Sequence, residues 1–444
     1  MTGLRRALAG GPGRRGLAVM TGLRRELAGG PGRRGLAVPA RWRWSGALAA
    51  AVAPGLLGAA LAGCGGHAVT AGPGPRAGSP SRASRPAGGS SSGGSASAGA
   101  SQQSVRRFCA APPGAALRAA LRRSVPASLS SEVVPLGLSA GGGTAYVSTW
   151  TPAFAGVAAL NLGTGQLRPI LAYPDPATDQ ADGASAGRWL VWEQTHSLQS
   201  LDGFTVYAWD SATGRLRRLG HSLRGPGGRP WPSPWHAPVV SGNYAAWAQG
   251  YGPGGKVEVV LANLATGKVT VVRRGHTQPP FFDGGLLVWP ESDQPGAQTA
   301  LHALSLASGR PAGLPAVLRA VHGTEFVVTD GTRTAYFNPG LTELYYSPAQ
   351  DQRASVVLRL PAGVDFAELA MAPGSLAWAT TKATYLASTR TGAYTRVTPR
   401  YGDATASGQG LVISDAPADK AAHPILPMQV LRPAGLSWRA CRQQ

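Results

Sequence analysis

The sequence predicts an all-β fold of repeated four-stranded units, and three observations carry the prediction. A strand that runs into a turn recurs at residues 159–165 (ALNLGTG), 208–214 (AWDSATG), 261–267 (LANLATG), 303–309 (ALSLASG) and 386–392 (LASTRTG). A short apolar strand ending in tryptophan recurs at 187–192 (GRWLVW), 242–247 (GNYAAW), 284–289 (GGLLVW) and 374–378 (GSLAW). The first four turn copies begin about 40 to 55 residues apart, the length of four short strands with their connections. One such unit cannot bury its own faces, whereas several stacked around an axis can, which is the logic of a β-propeller. Inner-strand candidates near Tyr146, Trp192, Trp247, Trp289, Val327, Trp378 and Ile413 give six or seven blades. An open β-solenoid is the competing architecture.

The turns explain themselves locally. Asn, Asp or Ser at the third position can fold its side-chain oxygen onto backbone N–H groups further along, and the closing Gly tolerates positive φ. A basic residue, Arg215, Lys268 or Arg310, then opens the next strand. The fifth unit departs from the pattern and offers Ala349-Gln350-Asp351 instead.

The chain divides into three expected regions: a leader (1–63), a linker (64–105) and the propeller with closing terminal segments (106–444). Residues 1–19 and 20–38 are copies that differ only at Ala7 and Glu26, which reads as duplicated coding sequence rather than a folded repeat. Residues 45–64 (SGALAAAVAPGLLGAALAGC) are an uncharged apolar run entered from Arg41 and Arg43, the order of an export signal. Its last four residues, Leu61-Ala62-Gly63-Cys64, resemble the lipobox of bacterial lipoproteins. That resemblance implies that Cys64 carries acyl chains, palmitate among them, and that the chain beyond it works extracytoplasmically at the cell membrane. A transmembrane anchor is the alternative, and Arg33-Arg34 leaves Sec and twin-arginine export both open. The linker is almost wholly Gly, Ser, Ala, Pro and Arg and lacks aromatic residues, the composition of a disordered tether. A short helix is expected near residues 115–123, with Leu117 and Leu121 one turn apart.

Charge excludes one partner class. The whole chain is +21, but residues 1–63 hold ten Arg against one Glu and residues 64–131 eight Arg and no acid. The excess therefore lies in the leader and linker, where anionic lipid is the nearer partner, and nucleic acid is not expected. Cys109 and Cys441 bracket the folded region, so an oxidising exterior permits a disulfide that locks the ring; two unrelated thiols are the other reading.

The 208–214 unit resembles the repeat of quinoprotein-type bacterial propellers, and the chain is similar in a general way to TolB-type envelope propellers. In the quinoprotein repeat a Trp follows the Thr-Gly by four residues; here Pro169, Arg218, Val271, Gly313 and Arg396 stand there. The resemblance thus implies the fold, and no cofactor is expected. Ser185 lies in a G-x-S-x-G match (183–187), but it precedes a strand rather than a nucleophile elbow. The eight histidines lack metal spacing, and Glu291 and Asp293 read as solvated turn carboxylates, so no metal site is expected. The candidate binding surface is the Pro-rich insertion 225–238, with Arg229, Trp231, Trp235 and His236, joined by Tyr251 of the next loop. Rigid aromatic platforms of this kind suit glycan rings or peptides.

These readings lead to a membrane-anchored monomer whose propeller is a non-catalytic binding or scaffold module for an envelope protein, peptide or glycan. A polysaccharide hydrolase or lyase, or a quinoprotein-like oxidoreductase, with a site at the channel mouth is the rival. Replacing Cys64→Ser is expected to move the protein from the membrane to the soluble fraction on cell fractionation; unchanged membrane retention would sink the lipobox reading.

Overall fold

The computed structural model describes residues 107–441, apart from 123, 126–131, 152, 177–178, 196–202, 232–236, 295–296, 325, 400, 403, 409, 415–427, 433–434 and 440. The described residues all belong to one compact unit. Cys64, the leader and the linker lie outside them, as do Trp235 and His236.

The segment begins with β1 (Cys109–Ala110), α1 (Ala115–Arg122) and β2 (Ser124–Val125). Blade 1 is β3 (Glu132–Leu138), β4 (Thr144–Trp150), β5 (Ala155–Asn161) and β6 (Leu167–Ala172). Blade 2 is β7 (Gln180–Ala186), β8 (Trp189–Thr195), β9 (Phe204–Asp210) and β10 (Arg215–His221). Blade 3 is β11 (Val239–Ser241), β12 (Tyr244–Gly252), β13 (Lys256–Asn263) and β14 (Lys268–Thr277). Blade 4 has three strands, β15 (Phe281–Asp283), β16 (Leu286–Ser292) and β17 (Ala300–Ser305), followed by α2 (Ala316–Arg319). Blade 5 is β18 (Val327–Thr329), β19 (Thr334–Phe337), β20 (Glu343–Ser347) and β21 (Ser355–Arg359). Blade 6 is β22 (Phe366–Ala372), β23 (Ser375–Thr380), β24 (Thr384–Ser388) and β25 (Ala393–Thr398). Blade 7 is β26 (Ala404–Ser407), β27 (Gly410–Ser414) and β28 (Met428–Leu431), with β2 as its outermost strand.

The first strands form the inner ring. Each of β3, β7, β11, β15, β18 and β22 packs on the first strand of the next blade, and β26 packs back on β3. The ring is closed and has seven blades, which removes the open solenoid. One expectation needs correction. The aromatic strands of Trp192, Trp247, Trp289 and Trp378 stand second in their blades, and only Val327 lies on an innermost strand. The reason is burial: the second strand is covered on both faces by neighbouring blades, so it takes the largest side chains, and Trp192, Trp247 and Trp378 are fully buried.

The hairpins between third and fourth strands form as their composition dictates. Asn161 Oδ1 accepts from Gly163 and Thr164 N–H, and Asn263 Oδ1 from Ala265 and Thr266 N–H, at 2.9–3.1 Å. The closing glycines Gly165, Gly214, Gly267, Gly309 and Gly392 have φ of 65° to 79°, where a Cβ is unfavourable. Blade 4 lacks a fourth strand because Pro311 and Pro315 follow its hairpin, and only a Leu304–Pro311 bridge remains. Val317 and Leu318 of α2 fill the space, packing with Val288, Val327 and Tyr336 between blades 4 and 5.

Antiparallel blades sort their connections onto two faces. First-to-second turns and third-to-fourth hairpins share one face, here the turn face; the longer connections share the other, the loop face. The N-terminal segment enters on the turn face: Cys109 N–H donates to Gly392 O at 3.0 Å, and Cys109 pairs with Ala393 of β25. Cys109 is disulfide-bonded to Cys441. Phe108 is buried between blades 5 and 6 against Tyr346 and Trp378. Among the described residues no helix is long and apolar enough to cross a membrane.

Phe108 ties the incoming chain to two blades at once. Phe108→Ala is expected to lower stability by about 3–5 kcal/mol in urea unfolding, the cost of emptying an aromatic core site. A loss under about 1 kcal/mol would show that the segment does not help hold the ring.

Candidate functional site

A belt of polar residues lies toward the loop face, two positions beyond the aromatic residue of the second strands. Tyr146 is followed by Ser148, Trp192 by Gln194, Trp247 by Gln249, Trp289 by Glu291 and Trp378 by Thr380. Residues i and i+2 of a strand share a face, so each polar group sits above its own aromatic ring. Ser148, Gln194, Gln249 and Thr380 are buried.

Blade 3 wires this position to the surface. Trp247 Nε1 donates to Gln249 Oε1 at 2.8 Å, and Gln249 Nε2 donates to Glu258 Oε1 at 2.7 Å. Arg274 Nε donates to Glu258 Oε2 at 2.9 Å, and its guanidinium lies 5.4 Å from the centre of the Tyr251 ring. Glu258 is 2% exposed and Arg274 60%. A fully buried indole is thus linked through two side chains, Gln249 and Glu258, to an exposed cation held over an aromatic ring.

Blade 4 repeats the device. Trp289 Nε1 donates to Glu291 Oε2 at 3.2 Å, and Arg273 grips the same carboxylate through Nε and Nη2. Burial pulls the Glu291 carboxyl upward, but the hydrogen bonds from Arg273 and Trp289 outweigh it and the group sits below its ordinary range. Neighbouring residues of β14 therefore serve two blades, Arg274 its own and Arg273 the next. Tandem arginines at one bend in an outer strand were a legible signal for this junction.

Blade 2 is different. Gln194 Nε2 donates to Asp179 Oδ2 at 3.2 Å, which leaves Gln194 Oε1 and Trp192 Nε1 buried without hydrogen-bond partners. Tyr173 and Ser148 share a short hydrogen bond across the same interface, and burial pushes the Tyr173 hydroxyl well above its ordinary range. On the opposite side of β8, Glu193 pairs in register with Asp182 of the inner strand. Burial, reinforced by the Asp182 charge, raises the Glu193 carboxyl well above the carboxylate range, and its Oε2 has no hydrogen-bond partner. None of this was read from the sequence, although a Trp-x-Gln or Trp-x-Glu repeat was present to be read.

The turn-face end of the inner ring is closed where blades 7, 1 and 2 meet. Ser185 Oγ and Ser407 Oγ are 2.7 Å apart, and both donate to Leu138 O. A Cβ at Gly137 would collide with Ser185, so glycine is required for this approach. Ser185 of the G-x-S-x-G match is a buried tie between inner strands, not an exposed nucleophile. Asp283 makes a similar tie, accepting from Thr329 and Gln350 at 2.7 and 3.0 Å between blades 4 and 5.

The structure separates the residues of the candidate surface. Trp231 N–H donates to Leu223 O at 2.8 Å, and its ring packs over Gly225, so it pins its own hairpin. Arg229 is exposed and its carbonyl accepts from Gly225 N–H. Tyr251 belongs to the Arg274 network instead. Trp235 and His236 fall outside the described residues. Among the described residues no group of three or more His, Cys, Asp or Glu is placed to hold a metal ion.

No protein-family model matches the chain, and no curated protein sequence is detectably similar. Solved structures with similar folds include a prolyl endopeptidase at 14% identity and TM-score 0.46, covering 74% of this chain and 51% of that one. Another is an oligogalacturonate lyase from Vibrio parahaemolyticus at 9% identity and TM-score 0.46, covering 69% and 91%. TolB from Acinetobacter baumannii is similar at 14% identity and TM-score 0.36, covering 60% and 63%. The chain spans about half the length of the prolyl endopeptidase.

A carboxyl whose proton affinity is raised by the fold makes stability pH-dependent. Between the ordinary glutamate value, about 4.3, and the raised value of Glu193, the folded state binds a proton that the unfolded state does not. Stability therefore falls as pH rises through that window, by at most about 1.4 kcal/mol per pH unit for one group. Glu193→Gln is expected to flatten the melting temperature against pH and to exceed the parent protein's at pH 8. Parallel curves for the two proteins would show that Glu193 is ionised normally.

Proposed function

We propose that this chain is a lipid-anchored protein on the outer face of a bacterial cell membrane whose propeller serves as a non-catalytic binding or scaffold module. The observation that carries the reading is the linked chain from Trp247 to Arg274 over Tyr251. A guanidinium fixed through Nε keeps its two terminal nitrogens for a carboxylate, and the ring beneath it adds a stacking surface. Such a group is pre-organised, so little side-chain entropy is lost on binding. It fits an acidic side chain of an envelope protein or peptide, or an acidic sugar of an envelope glycan. The lipobox residues 61–64 and the entry of the chain on the turn face support display of the loop face away from the membrane.

A second reading has one observation in its favour. Asp182 and Glu193 stand in register, and burial with the Asp182 charge raises the Glu193 carboxyl, the direction that suits a general acid beside a base, as a polysaccharide hydrolase or lyase requires. Complete burial of Glu193 favours the binding module over this alternative.

The test is capture from detergent-solubilised envelopes with the full chain as bait, compared with Arg274→Ala and Tyr251→Ala. The binding module requires a specific protein or glycan that the parent captures and either variant loses by at least tenfold. Capture unaffected by both substitutions would reject the site. Turnover of envelope polysaccharide that Glu193→Gln abolishes would favour the enzyme.

A further inference from the structure

The turn face carries a ring of basic residues, three of them placed there by the hairpin repeat. Arg215, Lys268, Arg310, Arg353, Arg390 and Arg432 come from blades 2, 3, 4, 5, 6 and 7, and all six are exposed. Three of them hold the same register position. The N–H groups of Arg215, Lys268 and Arg310 each donate to the hairpin hydroxyl two residues back, at 3.2–3.4 Å. Their side chains thus leave the fold at the same level in successive blades.

The acids on this face do not cancel the ring. Asp210 is paired with Arg188 at 3.3 Å, Asp330 with Arg333 at 3.7 Å, and Asp283 is buried in its Thr329–Gln350 tie. Asp351 is the exposed exception. Among the described residues none of the six ring cations is in an ion pair with a carboxylate. Carboxylates toward the loop face are more numerous, with Asp179, Asp182, Glu193, Glu258, Glu291 and Glu368 among them. Cations stand on both faces, Arg273, Arg274 and Lys382 among those of the loop face, so what sets the turn face apart is its scarcity of free carboxylates.

The chain enters on the same side. Arg107 O lies within 3.5 Å of a Cβ position at Gly392, in the blade 6 hairpin next to Arg390. Residues 64–106 leading to this point contain four arginines and no acid. We infer that the turn face is a docking surface for anionic phospholipid, so that the propeller lies flat on the bilayer with its loop face outward. The inference rests on the lipid-anchored reading for its orientation. A planar array suits this partner because the surface potential of an anionic leaflet decays within about a Debye length, roughly 10 Å at 0.1 M salt, and only charges in one layer act together. Each basic residue near an anionic surface contributes roughly 1 kcal/mol, about fivefold in affinity.

The experiment uses the full chain carrying Cys64→Ser, so no acyl chain contributes, and vesicles of phosphatidylcholine with or without 30 mol% phosphatidylglycerol, about the density of an anionic leaflet. A turn-face variant (Arg215→Glu, Lys268→Glu, Arg310→Glu, Arg390→Glu) is compared with a loop-face variant of equal charge change (Arg224→Glu, Arg229→Glu, Lys256→Glu, Lys382→Glu). Co-sedimentation with anionic vesicles is expected to fall at least tenfold further in the first than in the second, and to weaken in 0.5 M NaCl. The corresponding Arg/Lys→Gln set is expected to show a smaller loss in the same direction and guards against misfolding of the reversed variant, which circular dichroism checks. Equal losses from both faces, or ring-dependent binding to a soluble polyanion but not to vesicles, would overturn the inference. Mass spectrometry of native Cys64 tests the anchor separately: an unmodified thiol would defeat the anchored reading and leave the vesicle result intact.

Discussion

A ring of blades has no stable partial form, because each blade buries both faces only against two neighbours. Seven blades in sequence leave the first and last with uncovered faces until the chain ends meet. Here the N-terminal segment makes the junction. β2 supplies the outermost strand of blade 7, β1 adds a strand to blade 6, and Cys109 is bonded to Cys441 across a separation of 332 residues. Phe108 fills the groove between blades 5 and 6 from the same segment. Closure therefore depends on residues that lie before the first repeat, and every interior position described above presupposes it.

Within the closed ring, the buried aromatic residues create a second requirement. An indole N–H taken out of water must find an acceptor or cost about 1–3 kcal/mol. Blades 3 and 4 meet this with a Gln or Glu two residues on, and then pass the resulting charge outward to Arg274 or Arg273. The solution to a packing problem thus delivers fixed guanidinium groups to the loop face. Blade 2 does not complete the circuit: Asp179 takes the Gln194 amide, and Trp192 Nε1 is left without a hydrogen-bond partner next to Glu193, whose carboxyl burial raises. Polar groups are least satisfied there, which is the usual mark of strain retained for a purpose or of a site that holds water.

The two faces differ because antiparallel connectivity forces short turns to one side. Short Asn/Asp/Ser-x-x-x-Gly hairpins need a residue after the glycine to start the next strand, and that residue sits at the solvent boundary where a long cation costs nothing. Repetition of that local choice in blades 2, 3 and 4 sets three of the six turn-face cations at one level. The loop face receives the longer connections and the ends of the polar belt. On the proposed reading, display and anchorage fall on opposite sides for a reason internal to the fold.

Much of this was legible in the amino-acid order alone. The recurring Thr-Gly hairpins, the tryptophan strands and their spacing determine the all-β class and the repeat, because turn geometry and strand burial are local properties. Helix α1 (Ala115–Arg122) was likewise readable from Leu117 and Leu121. What tertiary structure decided concerns residues distant in sequence. It set the count at seven, since blade 5 and blade 7 lack the full motif and declare themselves only by packing. It moved the tryptophan strands from first to second place, and it turned Ser185 from a motif match into a tie with Ser407, 222 residues away. Arg274 acquired its role only when Glu258 and Tyr251 were brought to it, and the basic residues became a ring only when closure put them in one plane. Local patterns are fixed by neighbours in the chain; partners across a ring are fixed by how the ring shuts.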